Sequence, residues 1–143
     1  MVMEFSPSLI GCYIWTENHS SKLIRKSKEC VINVPTVDMA QTVVGIGNTS
    51  GAEVDKFDKF GLTAAPAEKV GAPLIEQCYA NLECKLVDAS LIRKYSLFVF
   101  EVVKAHAPIR PKYPKTIHYR GDGQFMVAGK PLNLRRLFKP EML

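Results

Sequence analysis

The sequence predicts a mainly β domain with short helices (α+β class), its antiparallel strands closed into a barrel or packed as a sandwich. Three stretches carry that expectation. Ala80, Leu82, Cys84 and Leu86 alternate with Asn81, Glu83, Lys85 and Val87, the period of two expected of a half-buried strand. Tyr95 to His106 contains the run Leu97-Phe98-Val99-Phe100-Glu101-Val102-Val103, rich in β-branched and aromatic residues. Ile117-His118-Tyr119 and Gln124-Phe125-Met126-Val127 flank Arg120-Gly121-Asp122-Gly123, an Asp-Gly hairpin turn. Strict strand–helix alternation is missing, so a doubly wound parallel sheet is not expected.

The remaining elements follow in order. Leu9 to Trp15 is an apolar run of strand formers, read as a strand buried on both faces. Thr16 to His19 is a turn. Ser20 to Lys28 suits a short helix, with Leu23 and Ile24 inward, Lys22, Arg25, Lys26 and Lys28 outward, and Asn18 or Ser20 able to cap it. Cys30 to Val34 is a strand closed by Pro35. Thr36 can cap a second helix to about Ile46, its end weakened by Gly45 and Gly47. Asn48 to Gly51 is a turn cluster, Glu53 to Phe60 a third helix, and Leu62 to Pro73 irregular.

A chain of 143 residues is one domain by length, here 1–143. Its 47% hydrophobic and 23% charged content excludes a disordered chain. No apolar run approaches the roughly 20 residues of a membrane span. Met1 to Pro7 lacks a basic stretch followed by an apolar one, so no secretory leader is expected. The four cysteines form no CxxC and pair with no His-rich motif. They read as reduced, mostly buried thiols of a cytoplasmic protein rather than a zinc site or a disulfide scaffold.

Charge is uneven. Residues 104–143 hold nine Lys or Arg against two acids, a net of +7, and the first 103 residues carry −2. The basic residues lie in proline-rich loops rather than on one helix face, and no nucleic-acid-binding motif accompanies them. A solvated rim, or a surface attracting a phosphorylated small molecule, is expected ahead of nucleic acid. Hydrolase elbows, zincin helices and phosphate-binding Gly-Lys loops are absent from the sequence.

The informative stretch is Thr16-Glu17-Asn18-His19-Ser20-Ser21. It delivers hydroxyls and free first-turn amides at the positive end of a helix dipole, which suits an anion such as a phosphate. Plain helix capping is the alternative, and the residues by themselves favour it.

The run PSLIGCYIWTENHSSKLIRKSKECVINVP resembles a signature of the flavin reductase-like family: an apolar strand, a polar turn, a helix, and a strand ending Asn-x-Pro. Ser50, Gly51, Asp55, Lys56, Phe57, Gly61 and Leu62 are similar to a second block of that family. Ala72-Pro73-Leu74-Ile75 and Leu82-Glu83-Cys84-Lys85 continue it. FVFEVVKAHA and HYRGDGQFMVAGK fit its closing strands, and the resemblance, closest to the flavoredoxin-type branch, covers roughly residues 7–130.

The resemblance implies the FMN-binding split β-barrel, a Greek-key antiparallel fold. It implies bound FMN, with NAD(P)H as electron donor, and a homodimer with flavin near the interface. An electron-transfer partner protein is implied in the carrier variant. The FMN phosphate and ribityl chain are expected near Asn18, His19, Ser20 and Ser21, and the ring toward Trp15 and Thr16. Lys56 is expected against the flavin or its phosphate, with a surface helix lysine as the alternative; Asp55 holds Lys56 or caps a turn. No catalytic side chain is implied, because the redox chemistry belongs to the cofactor. The family places a hairpin before the strand matching residues 8–15. Only Met1 to Ser6 precede it here, so an N-terminally shortened domain lacking that hairpin is expected. A cofactor-free binding or structural module is then the competing outcome.

Overall fold

The computed structural model describes residues 1–142. The apolar run from Leu97 to His106 becomes β7 and takes the centre of the sheet, where both its edges are paired. Ser8–Tyr13 (β2) lies antiparallel on one side and Ala80–Asp88 (β6) on the other. Val2–Phe5 (β1) pairs with the outer edge of β2, and Glu29–Val34 (β3) with the outer edge of β6. The sheet therefore runs β1-β2-β7-β6-β3, antiparallel throughout. Bulges interrupt β6 against β7 at Glu83/Cys84 and Leu86/Asp88. Each adds local twist, which curls an antiparallel sheet toward a barrel wall.

Between β2 and β3 runs His19–Ser27 (α1). A short 3-10 turn, Val37–Met39, leads into Ala40–Gly47 (α2), and Lys56–Phe60 (α3) follows. Two minimal ribbons complete the fold. Ala64–Ala65 (β4) pairs with Leu74–Ile75 (β5), and Ile117–Gly121 (β8) with Gln124–Val127 (β9). The β8–β9 turn has positive φ at Asp122 and Gly123, 49° and 71°, as a two-residue Asp-Gly hairpin requires.

The core forms where the sheet meets the helices. Phe98, Phe100 and Cys84 are fully buried, and Ile24 of α1 and Ile92 of the single-turn helix Ile92–Tyr95 (α4) are nearly so. Phe98 and Phe100 stand two apart on one strand face, with ring centroids 6.0 Å apart and planes 9° from parallel. Cys30 faces Cys84 across β3–β6. The hydrogen bond between them, reinforced by burial, pushes the Cys30 thiol up. All four thiols are free.

Several segments differ from expectation. Leu23, expected inward with Ile24, is exposed, and β2, expected buried on both faces, buries only Gly11. Residues 2–5, to which the sequence assigns no element, make β1: the Met1 ammonium donates to Gly11 O at 2.9 Å, and Gly11 N to Met1 O at 2.8 Å. All four residues of β1 are exposed, so no alternating burial pattern marks it. The third helix is shorter than Glu53–Phe60 because Asp55 starts it, its carboxylate accepting from Phe57 N at 2.8 Å and Asp58 N at 3.3 Å. Gly45 sits inside α2 for a packing reason. A Cβ built there would lie 2.5 Å from Phe60 Cε1, so the missing side chain lets α3 close against α2. Among the described residues no helix is long and apolar enough to cross a membrane.

Candidate functional site

The start of α1 faces the segment joining α2 to α3 across an open cleft of about 820 Å³. Asn18, His19 and Ser20 line one wall, and Asn48, Thr49, Ser50, Gly51 and Lys56 the other. The approach is close: a Cβ built on Gly51 would lie 3.4 Å from His19 Cδ2 and 3.9 Å from Lys56 Cε. Residues some 35 positions apart in the chain thus meet over a bare glycine.

Each wall is set up differently. Asn18 is the N-cap of α1 in extended conformation, but its side chain makes no capping hydrogen bond. No acid occupies the first turn. The leading amides of α1 therefore carry the helix's partial positive charge without an internal acceptor from the cap residue. Lys56 is anchored: its ammonium donates to Ile46 O at 2.8 Å, near the C-terminus of α2. That holds the charge in the cleft wall and leaves two N–H donors free. Asp55 also lines the cleft, with its carboxylate engaged in capping α3.

The other expected site residues fall around this cleft. Ser21 is fully buried beneath α1, its Oγ without a hydrogen-bond partner, and it does not line the cleft. Thr16 lines a neighbouring hollow that shares only Glu17 with the cleft. Trp15 stands 55% exposed at the start of the polar turn. Sequence reasoning passed over Asn48 and Thr49 as cleft residues; their grouping as a turn cluster was the available signal.

A second polar centre escaped the sequence reading. Glu83, in an outward register position on β6, is fully buried. Its carboxylate accepts from Glu68 N at 3.0 Å and Lys69 N at 2.5 Å, and meets His106 Nε2 at 2.6 Å. Burial raises its pKa, but the Glu68 amide, the His106 ring and the Lys69 amide outweigh that and hold it at about 2. Lys104 and Glu68 pair above it at 3.2 Å. This centre pins the irregular 66–71 loop to the sheet. Among the described residues no cluster of His, Cys, Asp or Glu could hold a metal.

The residues around the cleft fit a flavin mononucleotide. Free amides, the Ser20 and Ser50 hydroxyls and the Lys56 ammonium suit a phosphate, and the bare backbone at Gly51 lets His19 and Lys56 draw near each other.

The architecture, a bulged antiparallel sheet with a polar cleft at the head of its first helix, is that of the FMN-binding split barrels. The FMN-binding domain of a flavin reductases-like enzyme from Shewanella baltica superposes with a TM-score of 0.81 at 26% identity, over 92% of this chain and 76% of that one. Flavoredoxin of Desulfovibrio vulgaris (Miyazaki F) gives 0.83 at 20% identity, over 93% and 76%, a likeness of fold. The chain belongs to the family of the flavin reductase like domain, which matches residues 1–124. An uncharacterized protein of Archaeoglobus fulgidus is 37% identical over 101 residues, 71% of this chain. The chain spans only 57% of that relative's length.

Proposed function

We propose that the cleft binds FMN and that the protein is an NAD(P)H-dependent flavin reductase. The observation that carries this reading is the convergence of uncapped α1 amides with the anchored Lys56 across Gly51. Asn18, His19, Ser20 and Lys56 hold the phosphate end, and Trp15 and Thr16 lie toward the ring. When bound, FMN would supply the two-electron redox chemistry for which NAD(P)H is the donor. The side chains bind, orient and shield; none need transfer a proton to the substrate.

The protein acts as a homodimer with the flavin near the interface. Support comes from exposed apolar side chains on the β1–β2 ribbon (Phe5 82%, Tyr13 71%) and on the C-terminal segment (Leu137 79%, Phe138 56%). Four free thiols suit the reducing cytoplasm.

Absorbance titration of the purified protein with FMN tests the site, and anaerobic addition of NADPH tests turnover. A shifted flavin band that bleaches supports the reductase. A band that persists makes the protein a flavoredoxin-like electron carrier, and no band at all leaves a cofactor-free module. The double variant His19→Ala/Ser20→Ala is expected to weaken FMN binding about tenfold with Tm unchanged, the loss of roughly one charge-assisted contact. Wild-type affinity in that variant removes the phosphate from this position.

A further inference from the structure

A second hollow, about 440 Å³, adjoins the cleft through Glu17, which lines both. Its lining includes the Thr16 hydroxyl and three cations, Arg25, Lys28 and Arg93. Arg25 and Lys28 come from the last turn and C-cap of α1, Arg93 from α4. The α1 dipole explains Arg25, because a cation is stabilised at a helix C-terminus. It does not explain Arg93, which reaches the same hollow from a different, single-turn helix. Among the described residues the ion pairs are Lys104–Glu68 and His106–Glu83, so none of the three cations has a carboxylate partner. With Glu17 as the single acid of the lining, the hollow carries a net +2. Like charges gathered on concave walls repel one another and focus a positive potential, which a polyvalent anion relieves.

Two guanidiniums and an ammonium match a phosphate monoester in particular. Each guanidinium fork can bind two phosphate oxygens, and the ammonium adds a point charge. We infer that this hollow binds the 2′-phosphate of a pyridine nucleotide, and so makes NADPH rather than NADH the reductant. The inference rests on the reading that the adjoining cleft holds the flavin, since a nucleotide anchored by its 2′-phosphate in this hollow must reach across to the ring with its nicotinamide end. Arginine beside the ribose is the general chemical solution for accepting that phosphate.

The test uses 2′,5′-ADP, 5′-AMP and inorganic phosphate as calorimetric probes on the whole protein, with FMN titrated separately. The wild type is expected to bind 2′,5′-ADP at least tenfold tighter than the other two, with affinity falling as salt rises. Arg25→Gln/Arg93→Gln is expected to erase that margin and the NADPH-over-NADH preference in kcat/KM, leaving FMN affinity unchanged. Equal binding of 2′,5′-ADP and 5′-AMP by the wild type overturns the inference. So does phosphate binding as tightly as 2′,5′-ADP, or an unaltered margin in the double variant. If FMN fails to bind while 2′,5′-ADP still does, the flavin reading fails and the phosphate site survives.

Discussion

Two regions of this molecule use backbone amides to hold negative charge, and they do it in opposite ways. On β6, Glu83 supplies the anion from within the chain: Glu68 N and Lys69 N donate to it, and His106 completes its shell. At the start of α1 the amides are offered but the cap residue's side chain does not take them, and no acid stands in the first turn. Asp55 shows that the chain caps a helix internally elsewhere, at α3 in the same cleft. The contrast separates a closed polar centre, which stabilises the fold, from an open one, suited to a ligand. Changes at the first should cost stability. Changes at the second should cost affinity.

The largest expected effect breaks the closed centre. Glu83→Gln removes a charge that two amides and His106 converge on, and should lower Tm by on the order of 10 °C near neutral pH. The folded pKa of Glu83, about 2, lies below its ordinary value of 4.5. Its stabilisation is therefore complete above the ordinary value and fades as pH falls from there toward about 2. Melting curves from pH 6 to 2 should show a steep acid limb in the wild type and a flatter one in the variant. Equal limbs would mean that Glu83 is not the internal anion described.

A middle-sized effect sharpens the boundary between the regions. Gly45→Ala forces a methyl against the Phe60 ring and should cost about 1–3 kcal/mol by denaturant unfolding. Because α2 and α3 form one wall of the cleft, the same change should weaken FMN binding. Lost stability with unchanged FMN affinity would detach that packing from the site.

The smallest effect lies beneath α1, behind the open centre rather than in its lining. The Ser21 hydroxyl is buried without a partner. An unsatisfied buried polar group is costly, so Ser21→Ala should leave the Tm of the ligand-free protein equal or slightly higher. A clear fall in Tm would show that the hydroxyl is satisfied after all.

Much of the architecture was legible because it is written in local patterns. The alternation over 80–87, the apolar run of β7 and the Asp122-Gly123 turn all became the predicted strands. The strand Val2–Phe5 was not legible, since an edge strand exposed on every residue has no burial pattern to impose on its sequence. Helix α4 is a single turn, too short for a helical period to show. At the site, Asn18, His19 and Ser20 could be picked out because a helix start is a local signal. Their meeting with Gly51 and Lys56 depends on how the α2–α3 segment folds back. Glu83 marks the limit of periodicity. Alternation told which side of β6 it occupies, whereas the 66–71 loop covering that side comes from another part of the chain.

Trp15 is the sole tryptophan of the chain, and it stands half in solvent where the polar turn begins. Its ultraviolet emission therefore has one origin and overlaps the absorption of an oxidised yellow cofactor. Quenching by energy transfer would follow a flavin's arrival and departure in real time, with no label attached.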